Sequence, residues 1–251
     1  MTPLPRAFLD RPIAHRALHD RAAGRIENSP AAIRAAVAAG YGIEIDIQRS
    51  ADGQAMVFHD YDLQRLTGTR GAIQQHSAKA LSRLTLTGGD DTIPTLPEVL
   101  ALVGGAVPLL IEVKDQDGAM GPRVGPLEDA IAAALDGYDG PVALMSFNPH
   151  SVAALADRMP QHPRGLTTCA YAPGDYPTLP AATRDALRDI PDAHRTGASF
   201  ISHDHRDLSS PRVAALKAQG LAVLCWTVRS PEEEARARRI AQNVTFEGYT
   251  A

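Results

Sequence analysis

Two carboxylates stand two residues apart in Ile43-Glu44-Ile45-Asp46-Ile47, alternating strictly with isoleucine. In an extended strand, successive side chains point to opposite faces, so the isoleucines share one side and Glu44 and Asp46 the other. Like charges held that close need a cation, a shared proton or basic neighbours, and a set of hard oxygen ligands suits Mg2+ or Ca2+. An Ile-rich strand whose acids simply pair with Arg or Lys accounts for this motif equally well when it is read alone. Leu109-Leu110-Ile111-Glu112-Val113-Lys114 repeats the pattern, with Glu112 and Lys114 on one face. They read either as a structural ion pair or, beside the other polar strand ends, as a third metal carboxylate and a cation for phosphate.

Two histidines join these acids. Pro12-Ile13-Ala14-His15-Arg16 reads as a short strand that ends in an imidazole and a guanidinium, and Arg grips phosphate oxygens through its planar fork. Asp52-Gly53 is a two-residue hairpin signal, and counting back from it pairs His59 with Asp46. That register sets a proton-transfer group beside the carboxylates. His19, His150, His203 and His205 also lie near strand ends and read as surface or loop residues.

The elements that must position these groups follow an α/β pattern. Short apolar runs at 12–16, 42–47, 107–114, 142–147, 165–171, 199–203, 221–228 and 243–246 alternate with helical stretches near 30–39, 96–103, 126–136, 149–158, 180–189, 211–219 and 231–240. Ser29-Pro30, Asn148-Pro149, Ser210-Pro211 and Ser230-Pro231 each place a capping side chain before a proline suited to the first helical turn. Thr95 with Glu98, and Ser230 with Glu233, match the capping box. Eight strands in 251 residues predict one (β/α)8 TIM barrel, in which catalytic groups gather at the C-terminal strand ends. A small insertion, about residues 48–93, interrupts the alternation after the second strand, and a connection that long is usually functional.

Composition narrows the partners. With 25 basic against 29 acidic residues and a net charge of -4, no basic run marks a nucleic-acid or anionic-membrane surface. A small soluble ligand is expected, without stable membrane association. Cys169 and Cys225 sit in apolar stretches and read as reduced core residues. Residues 1–11 carry no secretory pattern, which points to the cytoplasm.

In order and spacing these motifs resemble the glycerophosphodiester phosphodiesterase family. His15-Arg16 resembles its opening His-Arg-Gly, Glu27-Asn28-Ser29 its Glu-Asn-Thr, Glu44 with Asp46 its Glu-x-Asp, His59-Asp60 its His-Asp, and Glu112-Val113-Lys114 its Glu-x-Lys. Cys225-Trp226-Thr227-Val228 is similar to its late Trp-Thr strand. The resemblance implies a (β/α)8 barrel that hydrolyses glycerophosphodiesters to glycerol 3-phosphate and an alcohol. It implies one divalent ion, Mg2+ or Ca2+, on Glu44, Asp46 and Glu112, with His15 and His59 as general acid and base. Arg16, Lys114 and Trp226 would bind substrate, Glu27 would support the site, and a neighbouring glycerol hydroxyl would attack to give a cyclic phosphate that water opens. Two departures stand out: Ala17 replaces a glycine, and the closing Asn243-Val244-Thr245-Phe246-Glu247 differs from the family's Thr-Asp ending.

Three rival readings follow from the same residues. A lysophospholipid-directed phospholipase D would use a similar set, but the polar 48–93 segment offers no apolar rim. A catalytically silent phosphate-binding barrel would not need every one of these groups. A metal-dependent sugar aldolase or isomerase explains the acids and leaves His15 and His59 unpaired.

Overall fold

A computed structural model describes residues 1–251. Its strands are β1 (Ile13–Ala14), β2 (Gly42–Arg49), β3 (Ala55–Val57), β4 (Leu109–Val113), β5 (Val142–Ser146), β6 (Arg164–Thr168), β7 (Phe200–Asp204), β8 (Ala222–Val228) and β9 (Asn243–Phe246). All except β3 are parallel, and β1 pairs with both β2 and β9, so the sheet closes into an eight-stranded barrel. Every strand expected from the sequence is present, and each expected helix lies between its two strands. The architecture is a (β/α)8 TIM barrel.

Capping chemistry explains why the helices start where they do. The side chains of Ser29, Asn148, Ser210 and Ser230 each accept a backbone N–H at the start of Pro30–Ala39, Pro149–Arg158, Pro211–Ala218 and Pro231–Ala237. Thr95 and Glu98 form the reciprocal box at the head of Leu96–Val103. Only half of the second expected box forms: Ser230 accepts from Glu233, while the Glu233 carboxylate accepts from Arg229 N–H instead. No helix is long and apolar enough to cross a membrane.

The outward faces of the strands bury Ile43, Ile45, Ile47, Ile111 and Val113 against the helices. Each such side chain contributes about 1.5–3 kcal/mol through burial. Inside the barrel, a separate apolar plug of Phe8, Ile13, Leu110, Ala143, Met145, Phe200 and Leu224 fills the lower half. Phe8 comes from Ala7–Asp10, a four-residue helix too short to leave a periodic signature. Asn243 Nδ2 donates to the carbonyls of Phe8 and Arg11 and pins this segment under the floor. Gly165 on β6 is required there, because a Cβ would lie 2.4 Å from the Phe200 ring.

The hairpin register differs from the sequence expectation by one residue. Ile47 pairs with Val57, so Phe58 rather than His59 lies opposite Asp46, and Phe58 N–H donates to the Asp46 carbonyl. The connection is a three-residue loop closed by Ser50 N–H to the Gln54 carbonyl, with Gly53 in the left-handed region at φ 84°. Ser50 Oγ holds both the Asp52 carboxylate and Gln54 N–H, which makes the longer loop the stable one. Beyond it, the short helices Gln64–Thr67 and Ala78–Leu81 surround a small core built on Met56, Phe58, Leu63, Leu66, Ile73 and Leu81.

Candidate active site

Above the apolar plug the inward positions turn polar, and they open at the C-terminal end of the strands into a cavity of about 920 Å³. His15, Arg16, Glu44, Asp46, His59, Glu112, Lys114 and Trp226 all line it. Glu27 stands behind that wall, where Arg16 and Arg65 bond its two oxygens.

Glu44, Asp46 and Glu112 are buried, with ligand oxygens within 4.8 Å of one another. β2–β4 pairing places Asp46 beside Glu112. Burial first, then Asp46 and Glu112, pushes the Glu44 carboxyl well above the usual range. The Asp46 carboxyl lies well below it: burial works against that shift, and Lys114 above all, then His59 and Arg16, overcome it. Lys114 Nζ sits 2.7 Å from Glu112 and 3.4 Å from Asp46, taking the role of a cation in an acidic nest. Asn28, itself at φ 60°, grips Asp46 from both sides, with Nδ2 on Oδ2 at 3.0 Å and Oδ1 accepting Asp46 N–H at 3.2 Å.

Both histidines are held through Nδ1 by a carboxylate. His15 Nδ1 lies 2.5 Å from Glu247 and His59 Nδ1 lies 2.7 Å from Asp60. In each case Nε2 is the ring nitrogen left for the cavity. Burial lowers the His15 pKa, and the Glu247 hydrogen bond partly offsets that. Arg65 then ties the second pair to Arg16: its guanidinium donates to Asp60 and Glu27, and Glu27 also accepts from Arg16. Arg16 Nε, 3.6 Å from Asp46, has no hydrogen-bond partner although it is buried.

The glycine replacement at Ala17 does carry backbone strain. Arg16 and Ala17 have φ of 50° and 64°, conformations that cost an L-residue roughly 1–2 kcal/mol each. Arg16 N–H donates to the Glu44 carboxylate, Ala17 N–H to the Glu44 carbonyl and Asn28 N–H to the Arg16 carbonyl, and together they hold the bend.

The sequence model of the glycerophosphoryl diester phosphodiesterase family matches residues 15–244. This chain belongs to that family. The Bacillus subtilis protein YhdW is 25% identical over 202 residues, which cover 77% of this chain and 76% of YhdW. A glycerophosphodiester phosphodiesterase of the same organism is 24% identical over 210 residues, 75% of this chain and 67% of that protein. Among solved structures, an Oleispira antarctica phosphodiesterase in complex with the product sn-glycerol-3-phosphate superposes with a TM-score of 0.77. It is 23% identical, and the match spans 96% of this chain and 94% of that one.

Within this family member, several site groups escaped the sequence reading. In the sequence Glu247 stands out only as a departure in the closing strand, and Asn28 and Asp60 belong to the Glu-Asn-Thr-like and His-Asp-like motifs without an assigned role. Arg65 and Tyr61, which also face the cavity, carry no local signal at all. One histidine read as a surface or loop group needs correction, while His19 lies in the loop after β1 as expected. His203 is buried on β7 between Thr168 and Asp207, and His19 lies 3.4 Å from Glu247. Cys169 and Cys225 are buried and unpaired, as expected.

Proposed function

We propose that this enzyme hydrolyses glycerophosphodiesters to glycerol 3-phosphate and an alcohol, with one divalent ion, Mg2+ or Ca2+, and with His15 and His59 as general acid and base. The observation that carries this reading is the pairing of each histidine, through Nδ1, with its own carboxylate at the edge of a buried three-carboxylate nest. The donor set fits a hard cation: it is all oxygen and buried, and its concentration of negative charge shows in the raised Glu44 carboxyl and in Lys114 Nζ lying 2.7 Å from Glu112. When bound, the ion would stabilise negative charge on the phosphoryl oxygens.

The chain's own groups divide the remaining work. Arg16 and Lys114 neutralise the phosphate and orient it, and Glu27 fixes Arg16 by accepting at 2.8 Å. One histidine takes the proton from the attacking oxygen at Nε2, and the other delivers a proton to the departing alcohol oxygen. Trp226, whose Nε1 donates to the Ser202 carbonyl and whose ring meets Phe147 at 5.5 Å, forms the apolar wall against which the glycerol or alcohol carbons pack. Tyr61, Asp62, Gln64 and Arg65 bring the 48–93 insertion to the rim, where it would influence the choice of alcohol.

The test is release of glycerol 3-phosphate from a panel of glycerophosphodiesters, with and without a chelator. Release that stops on chelation and returns with Mg2+ or Ca2+ is the expected result. No release from any member of the panel would defeat the reading.

A further inference from the structure

Beside the carboxylate nest lies a second group of metal-binding side chains of different chemistry. His15 and His19 follow β1, Glu247 follows β9, and closure of the barrel brings them together with ligand atoms all within 4.8 Å of one another. Glu247 Oε2 is the shared point, 2.5 Å from His15 Nδ1 and 3.4 Å from His19 Nε2. The first contact is a hydrogen bond. The second is not aligned as one, and His19 Nε2 is buried with no partner. Arg229 binds the other oxygen, Oε1, at 2.8 Å from the exposed rim and leaves Oε2 to the two imidazoles.

We propose that His15, His19 and Glu247 form a site for a divalent transition ion of the Zn2+ class, and that occupation of this site inhibits the enzyme. Two imidazoles and one carboxylate are a preferred ligand set for Zn2+, whereas the neighbouring all-oxygen nest suits Mg2+ or Ca2+. Around a tetrahedral ion with bonds near 2.0–2.1 Å, ligand atoms lie about 3.3 Å apart. The His19 to Glu247 separation already has that value, and the His15 contact needs to open by less than about 1 Å. An incoming ion would replace the His15 hydrogen bond and give His19 Nε2 the partner it lacks.

Inhibition follows from which nitrogen is taken. An imidazole that binds a metal through Nδ1 keeps its Nε2 proton, so His15 could offer a proton to the cavity but no longer accept one. This consequence rests on the proton-transfer role proposed above; the binding site does not.

The experiment holds the protein in saturating Mg2+, to fill the carboxylate nest, and titrates Zn2+ against turnover and Co2+ against the visible spectrum. The unaltered protein should lose activity with Zn2+ and develop the strong absorption of tetrahedral Co2+, which six-coordinate oxygen ligation does not give. His19→Ala should keep its basal turnover and show no such band. It should also need more Zn2+ by at least the roughly 10- to 100-fold that loss of a ligand's supporting partner costs. His19→Asn, closer in shape, serves as a second variant if the first folds poorly. Equal Zn2+ sensitivity and an unchanged cobalt band in these variants would overturn the site. A cobalt band without any Zn2+ inhibition would overturn the inhibitory role, and the band in a protein that hydrolyses no glycerophosphodiester would support the site while defeating the proposed function.

Discussion

His15 and Glu247 meet across the seam where β1 closes on β9, with Nδ1 2.5 Å from Oε2. The carboxylate fixes the ring and favours the tautomer with a proton on Nδ1. An amide of the same shape cannot enforce that choice. Glu247→Gln should therefore lower kcat by about 10- to 100-fold, the size typical of losing a histidine's orienting partner, with KM little changed. Because Glu247 raises a His15 pKa that burial lowers, the limb of the pH–rate profile due to His15 should move to lower pH in the variant. Glu247→Asp should restore part of the rate. An unaltered kcat and profile in Glu247→Gln would show that the contact only packs.

Metal binding should release a proton. The Glu44 carboxyl is raised first by burial and then by Asp46 and Glu112, so below that raised value the metal-free protein carries a proton that an ion must expel. Affinity should weaken as pH falls. Calorimetric titration in buffers of different ionisation enthalpy measures this directly, and heats independent of buffer would contradict it.

Removing either histidine should leave metal binding nearly intact while cutting turnover. General acid and base groups contribute about 10²- to 10⁴-fold each, so His15→Ala and His59→Ala should each lose a factor in that range. A loss explained wholly by weaker metal binding would reassign that histidine.

Gly165→Ala should destabilise the barrel from within. The new Cβ would meet Phe200 at 2.4 Å, inside a fully buried plug. Overpacking of this kind costs about 1–3 kcal/mol. Urea denaturation would read it as a lower midpoint at unchanged slope, and a wild-type midpoint would mean that Phe200 moves freely.

Acid stability should depend on Arg65. Burial raises the carboxyls of Glu27 and Asp60, but hydrogen bonds outweigh it, from Arg65 at Glu27 and from His59 and Arg65 at Asp60, and hold both below their ordinary range. A depressed folded pKa adds stability above the unfolded values, about 3.9 for Asp and 4.3 for Glu, and that stability is lost as pH falls further. Arg65→Ala should raise both folded values and move the acid-unfolding midpoint to higher pH. An unmoved midpoint, followed by circular dichroism, would exclude the contribution.

Much of this molecule could be read before its coordinates, for reasons that differ by element. The strands and helices were legible because Ser-Pro and Asn-Pro starts and isoleucine alternation are local signals. The carboxylates were legible because period-2 geometry alone sends Glu44 and Asp46 to one face. His59 reached the cavity although its expected register was off by one, since Ser50 and Asp52 stabilise a longer loop that no residue count reveals. Glu247, Arg65 and His19 were hidden because their meaning is purely spatial: each acquires its partners only when distant segments fold together. Phe8 was hidden for another reason, since a four-residue helix has no period.

That small helix has a consequence for traffic. With Phe8 and its neighbours packed into the barrel floor, the cavity has one mouth, and nothing can drain through the other end. Diester must arrive, and both products must depart, by the same doorway past the same cations. If Arg16 and Lys114 hold the phosphate as proposed, the product that keeps it should leave last and stand in the path of the next substrate, and so should inhibit in competition with the diester.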